Sequence, residues 1–299
     1  MTPKQKIYAA IGPPRSHSAA LTKVAPFLDD PSTQDAACKI AYEIMDDGTG
    51  SIDRTIKAVL APLHKLAKRG VDEALPALSK LVWALDGNKR YAELLGCIDV
   101  LIAACKATPT EGCLCRSSRE ALYKQAKRRG EELLYLRMRL EANLVTGDDK
   151  RAVADEKALE KRGGELRTQI RLSLGIWDEG TGTDLRPYAL MNAARALRKA
   201  GQLAEARVLL DRARPLVEPS LLADLAKEPI YTSKSSRGAW RAELWAEDAL
   251  HIEARGDMKA AKALLKRARD ANQGMGGHSF IAGGDYVADT ERMKLPEFR

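Results

Sequence analysis

Residues 190–213 read LMNAARALRKAGQLAEARVLLDRA, and residues 245–268 read WAEDALHIEARGDMKAAKALLKRA. In both, apolar or small residues recur every three to four positions on either side of one glycine, Gly201 or Gly256. That period belongs to an α-helix, and it resumes beyond the glycine. Each stretch therefore reads as two helices joined by a tight turn, with glycine taking the turn conformation that side chains disfavour. Five residues after each glycine stands an alanine, Ala206 or Ala261. Small residues there allow two helices to approach closely, and Leu210 and Leu265 fill the space between them.

These positions resemble the tetratricopeptide (TPR) repeat. Trp245, Ala249, Ile252, Ala261, Leu265 and Ala268 fall on that family's Trp, small-residue, Tyr, first Ala, Phe and later Ala positions. In the earlier unit the same places hold Leu190, Ala194, Leu197, Ala206, Leu210 and Ala213, with Pro219 near the terminal proline. The resemblance covers 188–217 and 242–272. The two glycines lie 55 residues apart, whereas that family repeats at about 34, so Pro219 to Gly238 reads as an insertion. The resemblance implies stacked antiparallel helix pairs, a solenoid whose extended concave surface engages a protein or peptide.

Helical spacing continues upstream. Ile52, Ile56, Val59, Leu60, Leu63 and Leu66 mark a helix ending at Gly70. Leu75 to Leu85 mark the next, with its stop at Asp86-Gly87-Asn88, and Tyr91 to Ile102 mark another. Ser117 or Ser118 opens a long helix that runs to Gly147. A second long helix follows the turn at Asp148-Asp149, and Gly163-Gly164 is where it would kink or break. Trp83, Gly87 and Ala92, and again Gly147 and Ala152, echo the repeat more weakly. Five prolines within 1–34 predict an irregular arm with one short helix near 19–27. No stretch alternates with period two, so no sheet is expected.

The expected fold class is all-α: stacked antiparallel helical hairpins, a TPR-like α-solenoid, with a long central helical hairpin. The divisions are an irregular arm (1–34), helical hairpins (35–107), the long hairpin (108–175), TPR-like repeats (176–272) and a glycine-rich tail (273–299), forming one extended array. Composition agrees. Apolar residues are 45% of 299 and aromatics 5%, which excludes a disordered chain and favours helices over sheets. Lys and Arg number 49 against 41 Asp and Glu, a net +8, spread over helices of mixed sign. No apolar run approaches a membrane span, and Ile7–Ile11 is too short for a secretory signal. An odd set of cysteines without a signal predicts reduced thiols and a cytoplasmic protein.

Catalytic motifs are missing from the sequence. Cys97, Cys105, Cys113 and Cys115 could supply four thiolates, but only Cys113-x-Cys115 nears a zinc-ligand spacing. His17, His64, His251 and His278 form no HExxH, and no nucleophile elbow, phosphate loop or dinucleotide fingerprint occurs. Neither a cofactor nor a metal nor an enzymatic activity is expected. Partner-binding candidates fall into three groups. Tyr188, Asn192, Arg195 and Arg241 lie on the first helices of the C-terminal pairs, with Trp245 read as core. Tyr231, Lys234 and Arg237 lie in the insertion, ahead of a helix whose N-terminus suits an anion. His278, Asp285 and Tyr286 belong to the glycine-rich end, read either as a loop closing over a partner or as a loosely docked tail.

Three functional readings follow. The first is a non-enzymatic interaction module, adaptor or scaffold, taking a protein or peptide, with an acidic one suited to the Arg- and Lys-rich helices. The second is a structural subunit of a homo- or hetero-oligomer. The third is a nucleic-acid-associated protein gripping backbone phosphates, disfavoured by the scarcity of aromatics.

Overall fold

A computed structural model describes residues 1–13, 16–107, 118–173, 184–217, 233–273, 286, 289 and 292–294, with the backbone alone for 107, 118–130, 164–173, 233–241 and 270–273. Every regular element among them is helical. The chain divides into two compact units, Met1–Thr110 and Glu111–Arg299. One continuous array was the sequence expectation, and the contacts separate it into these two bodies.

The first unit contains α1 (Pro3–Ile11), α2 (His17–Leu28), α3 (Gln34–Asp47), α4 (Ile52–Thr55), a π-helical turn (Ile56–Leu60), α5 (Ala61–Lys68), α6 (Ala74–Gly87) and α7 (Tyr91–Ala107). The short helix expected near 19–27 is α2, and the rest of the arm expected to be irregular over 1–34 is corrected, because α1 is helical as well. Pro3 sits in the first turn of α1, where its missing N–H is harmless. Thr2 and Gln5 form a capping box around it. Pro26 falls near the end of α2, so it interrupts little. Ile7, Ile11, Leu21, Val24 and Leu28 are buried, which makes these helices part of the core rather than an arm.

Pro62 explains the π turn. Inside a helix it removes a donor and its ring presses on the carbonyl four residues back. Widening the preceding turn relieves that clash without breaking the helix. α2 packs on α3, α3 on α6, and α6 on both α5 and α7. The weak repeat echo here does not match the packing, because Trp83 is 43% exposed and Ala92 is exposed as well. The stop near Gly87 is real, but Lys89 adopts the left-handed conformation (φ 56°).

The second unit contains α8 (Ser118–Thr146), α9 (Asp149–Ser173), α10 (Arg186–Lys199), α11 (Leu203–Val217), α12 (Ser233–Ala254) and α13 (Met258–Gln273). α9 runs through Gly163-Gly164 without a break. α12 begins at Ser233, so Lys234 and Arg237 belong to that helix and not to a loop ahead of it. α8 packs on α9, α10 on α11 and α12 on α13; α8 also packs on α10, and α12 on both α10 and α11.

The three turns within these pairs are built alike. Gly147, Gly201 and Gly256 have φ of 80°, 82° and 93°. In each, the amide after the glycine donates to a carbonyl five residues back: Asp148 to Asn143, Gln202 to Leu197 and Asp257 to Ile252. A side chain at the glycine would be strained there. Ala152, Ala206 and Ala261, each five residues past the glycine, are at most 1% exposed. The glycine-rich stretch itself, 274–285, lies outside the described residues; beyond it, Tyr286 (0%) and Met293 (1%) are buried against Ala246, Ala249, Leu265 and Ala268.

Candidate functional site

A seam of charged side chains crosses the interior of the second unit, and Glu247 on α12 is its centre. Glu247 is 0% exposed. Arg195 Nε donates to its Oε1 at 3.1 Å and Arg198 Nε to its Oε2 at 2.8 Å. The Tyr286 hydroxyl donates to Oε1 at 2.8 Å. Arg195 also donates to that hydroxyl at 2.7 Å, lies 4.9 Å from the centre of the Tyr286 ring, and pairs with Glu243 at 3.5 Å. Helical spacing explains the meeting. Glu243 and Glu247 are one turn apart on α12, and Arg195 and Arg198 are nearly so on α10, so each pair shares a face. The seam continues to α8 through Asn192, whose Nδ2 donates to Glu141, itself held by Arg137 at 3.0 Å. The Arg137 guanidinium covers the Tyr188 ring at 5.2 Å.

Two further networks lie in this unit. Asp155 accepts from Arg139 through Nε at 3.1 Å and from Asn143 at 2.9 Å. Asp248 accepts from Arg207 at 2.7 Å and Arg214 at 2.6 Å. Such charges are tolerated in a core because each is paired and hydrogen-bonded.

Burial alone would raise the Glu247 carboxyl, but Arg198 and Arg195, with the Tyr286 hydroxyl, outweigh it and hold it below the usual glutamate range. Tyr286 moves upward, first by burial and then by the Glu247 charge. His251, on α12 one turn beyond Glu247, is pushed down chiefly by burial, so it is neutral near pH 7. Burial and Lys68 also lower His64. All three lowered groups bind protons more readily unfolded than folded, so their stabilisation is present above the unfolded value and is lost as pH falls. The histidine loss begins near about pH 6.5 and the Glu247 loss near about pH 4.3. The urea midpoint should therefore drop between pH 7 and pH 5.5, and His251→Gln should remove part of that drop. An unchanged drop in that variant would refute the assignment to His251.

A pocket of about 410 Å³ opens between the start of α11 and the end of α12, lined by Leu203, Ala204, Arg207, His251 and Arg255. His251 is 4% exposed, and its Nε2 has no hydrogen-bond partner. Arg207 is held by Asp211 and Asp248. Arg255 is exposed and makes no ion pair among the described residues.

Of the residues singled out by sequence, Asn192, Arg195 and Tyr286 are brought together, with Tyr188 adjoining through Arg137. They meet as an internal network and not as an open groove, because Glu243 and Glu247 face Arg195 from the neighbouring helix. Tyr231, His278 and Asp285 lie outside the described residues, as do Cys113 and Cys115. Lys234, Arg237 and Arg241 lie on α12, with only their backbone described. Sequence reasoning missed Glu141, Glu243, Glu247 and the His251 pocket. The available signal was two glutamates one turn apart on a buried helix face. Cys38 and Cys97 are buried thiols pushed up to about 12, mainly by burial, so they behave as core residues. Among the described residues no His, Cys, Asp and Glu group could hold a metal, and no helix is long and apolar enough to cross a membrane.

Comparison with protein-family models, with curated proteins and with solved structures gives no match to this chain.

Proposed function

We propose that the chain is a non-enzymatic interaction module whose second unit stacks TPR-like antiparallel helix pairs and engages an acidic segment of a partner protein. One observation carries this reading: the small positions of the resemblance, Ala194, Ala206, Ala213, Ala249, Ala261 and Ala268, are all 0% exposed. The contact order supports it too, with first helices neighbouring one another and α11 meeting the following first helix. A stack of pairs that touch only their neighbours offers an extended surface. Arg195, once a candidate contact, is occupied by Glu247, so the cations open to a partner lie elsewhere. Arg255, Lys259 and Lys262 recur every three to four residues and make no ion pair among the described residues.

Affinity capture from extract of the native host, comparing the unaltered chain with the Arg255→Glu, Lys259→Glu, Lys262→Glu triple variant, tests the proposal. A protein partner enriched by the first and lost from the second is the expected result. Identical captures by both would refute it. A second reading, binding of nucleic-acid phosphates, has its own support in the first unit, where the exposed Arg54, Lys57, Lys65, Lys68 and Arg69 make no ion pair among the described residues. A partner lost on nuclease treatment, with retention falling steeply with salt, would favour that reading.

A further inference from the structure

Tyr286 and Met293 are seated on α10, α12 and α13, and from that seating we infer a peptide-recognition site that the chain's own end closes in cis. The partner it takes is a segment of another protein carrying a tyrosine, with arginine and methionine six and seven residues later, as in Tyr286, Arg292 and Met293. This inference goes beyond the partner reading and does not depend on it, since the site uses neither Arg255, Lys259 nor Lys262.

The seated residues define the chemistry that the site reads. Tyr286 is 0% exposed. Its hydroxyl donates to Glu247 Oε1 at 2.8 Å and accepts from Arg195 Nη2 at 2.7 Å, while the Arg195 guanidinium lies 4.9 Å from the ring centre. A phenol supplies the donor, the acceptor and the aromatic face together. Phenylalanine lacks the hydroxyl, and serine lacks the ring and the reach. Arg292 forks onto Glu253, with Nη2 donating to Oε2 at 2.6 Å and Nη1 donating to Oε1. A planar guanidinium makes that paired contact and an ammonium does not. Asp289 holds Arg292 at 3.0 Å, and the Met293 amide donates to the Asp289 carbonyl at 3.0 Å. One helical turn therefore sets the arginine and the buried Met293 in register. Tyr286 and Met293 are seven apart, the spacing at which a short amphipathic segment presents its anchors to a groove.

The surface beneath does not need this occupant to satisfy its charges. Glu247 keeps Arg195 on Oε1 and Arg198 on Oε2, and Arg195 also keeps Glu243. The apolar floor is largely alanine, Ala246, Ala249 and Ala268 beside Leu265, so uncovering it exposes little apolar area. Five of the twelve residues 274–285, which join Tyr286 to α13, are glycine, the composition of a tether. A short tether supplies its own segment at an effective concentration of about millimolar. An outside segment therefore enters by binding more tightly, or once the cis contacts are weakened.

The test uses the full chain with its own anchors removed, Tyr286→Ala, Arg292→Ala and Met293→Ala, and a fluorescent peptide of residues 285–296 as the probe. Anisotropy should show saturable binding to this variant, and binding at least about tenfold weaker to the unaltered chain, whose own segment competes. A Tyr286→Phe peptide should bind about tenfold more weakly, for the loss of one charge-assisted hydrogen bond. A charge exchange moves what packing alone would not. Glu253→Arg, added to the anchor-free variant, should abolish binding of the natural peptide and restore it for an Arg292→Glu peptide. Arg292→Glu alone in the full chain is the second variant. It leaves Tyr286 and Met293 in place, sets like charges beside Glu253 and Asp289, and should admit the natural peptide better than the unaltered chain does. Absence of saturable binding to either variant would overturn the site. Loss of helical circular dichroism in the anchor-free variant would overturn it too, because the segment would then belong to the fold. A dimer of the unaltered chain in light scattering, dissolved by Arg292→Glu, would overturn the stated partner and assign the site to a second copy.

Discussion

Glu247→Ala is expected to destabilise the second unit by about 3–5 kcal/mol, the usual consequence of stripping one partner from a buried ion pair. The loss is large because three groups converge on this one carboxylate. Without it, Arg195 and Arg198 face each other as like charges in the interior, and the Tyr286 hydroxyl loses its acceptor. Glu243 remains near Arg195 at 3.5 Å, whereas the ion pair of Arg198 is with Glu247 itself. Against a domain stability of about 5–15 kcal/mol, the change should be plain in urea unfolding followed by circular dichroism. Glu247→Gln, which keeps the shape and one acceptor, should fall between the two. Replacing the cluster together, with Glu247→Leu, Arg195→Met and Arg198→Met, should recover most of the loss, since apolar residues of similar volume need no pairing. A cost under about 1 kcal/mol for Glu247→Ala would place Glu247 among weak surface pairs and refute the seam.

The helices were legible because their signals are local. Period, glycine turns and caps each involve residues within about two turns of one another, and the pair at Gly201 and the pair at Gly256 could be read directly. The third pair, turning at Gly147, was fainter for a physical reason. Where the others have Leu197 and Ile252, it has Asn143, and Asn143 joins Asp155 and Arg139 in a buried polar network. Polar residues at core positions erase the apolar period that reading depends on. At the N-terminus the prolines hid α1 and left only the middle of α2 legible, although a helix accepts proline in its first turn or near its end, as at Pro3 and Pro26. The seam was not legible at all. Arg195 and Glu247 are 52 residues apart, and a single helix face cannot tell a charge bound for solvent from one bound for a partner on the next helix. The same reasoning made Arg195 look like an open contact. Tyr286 follows a glycine-rich stretch, a composition that points to looseness, although the residue itself is fully buried.

That burial leads to the second large effect. Leu265→Ala should cost about 2–5 kcal/mol, the transfer loss of the side chain plus the cavity it leaves. Leu265 is 0% exposed in one cluster with Ala249, Leu250, Ala268, Tyr286 and Met293. Its neighbours on the helices are largely alanines, which have no side-chain rotamers with which to refill the space, so collapse into the cavity is limited and the upper part of the range applies. Val208→Ala is the control: Val208 is 57% exposed, and its truncation should stay within about 0.5 kcal/mol. The cluster also joins the chain end to the helix pair, so the two should be coupled. Tyr286→Phe removes the hydroxyl from Glu247 while keeping the ring, and combining it with Leu265→Ala should give a non-additive loss, because both act on the same packed group. Urea midpoints of the two single variants, the double variant and the unaltered chain complete the cycle. Strict additivity would mean that the Tyr286 hydroxyl bond to Glu247 and the packing around Leu265 act independently, and would refute the coupling of seam and core.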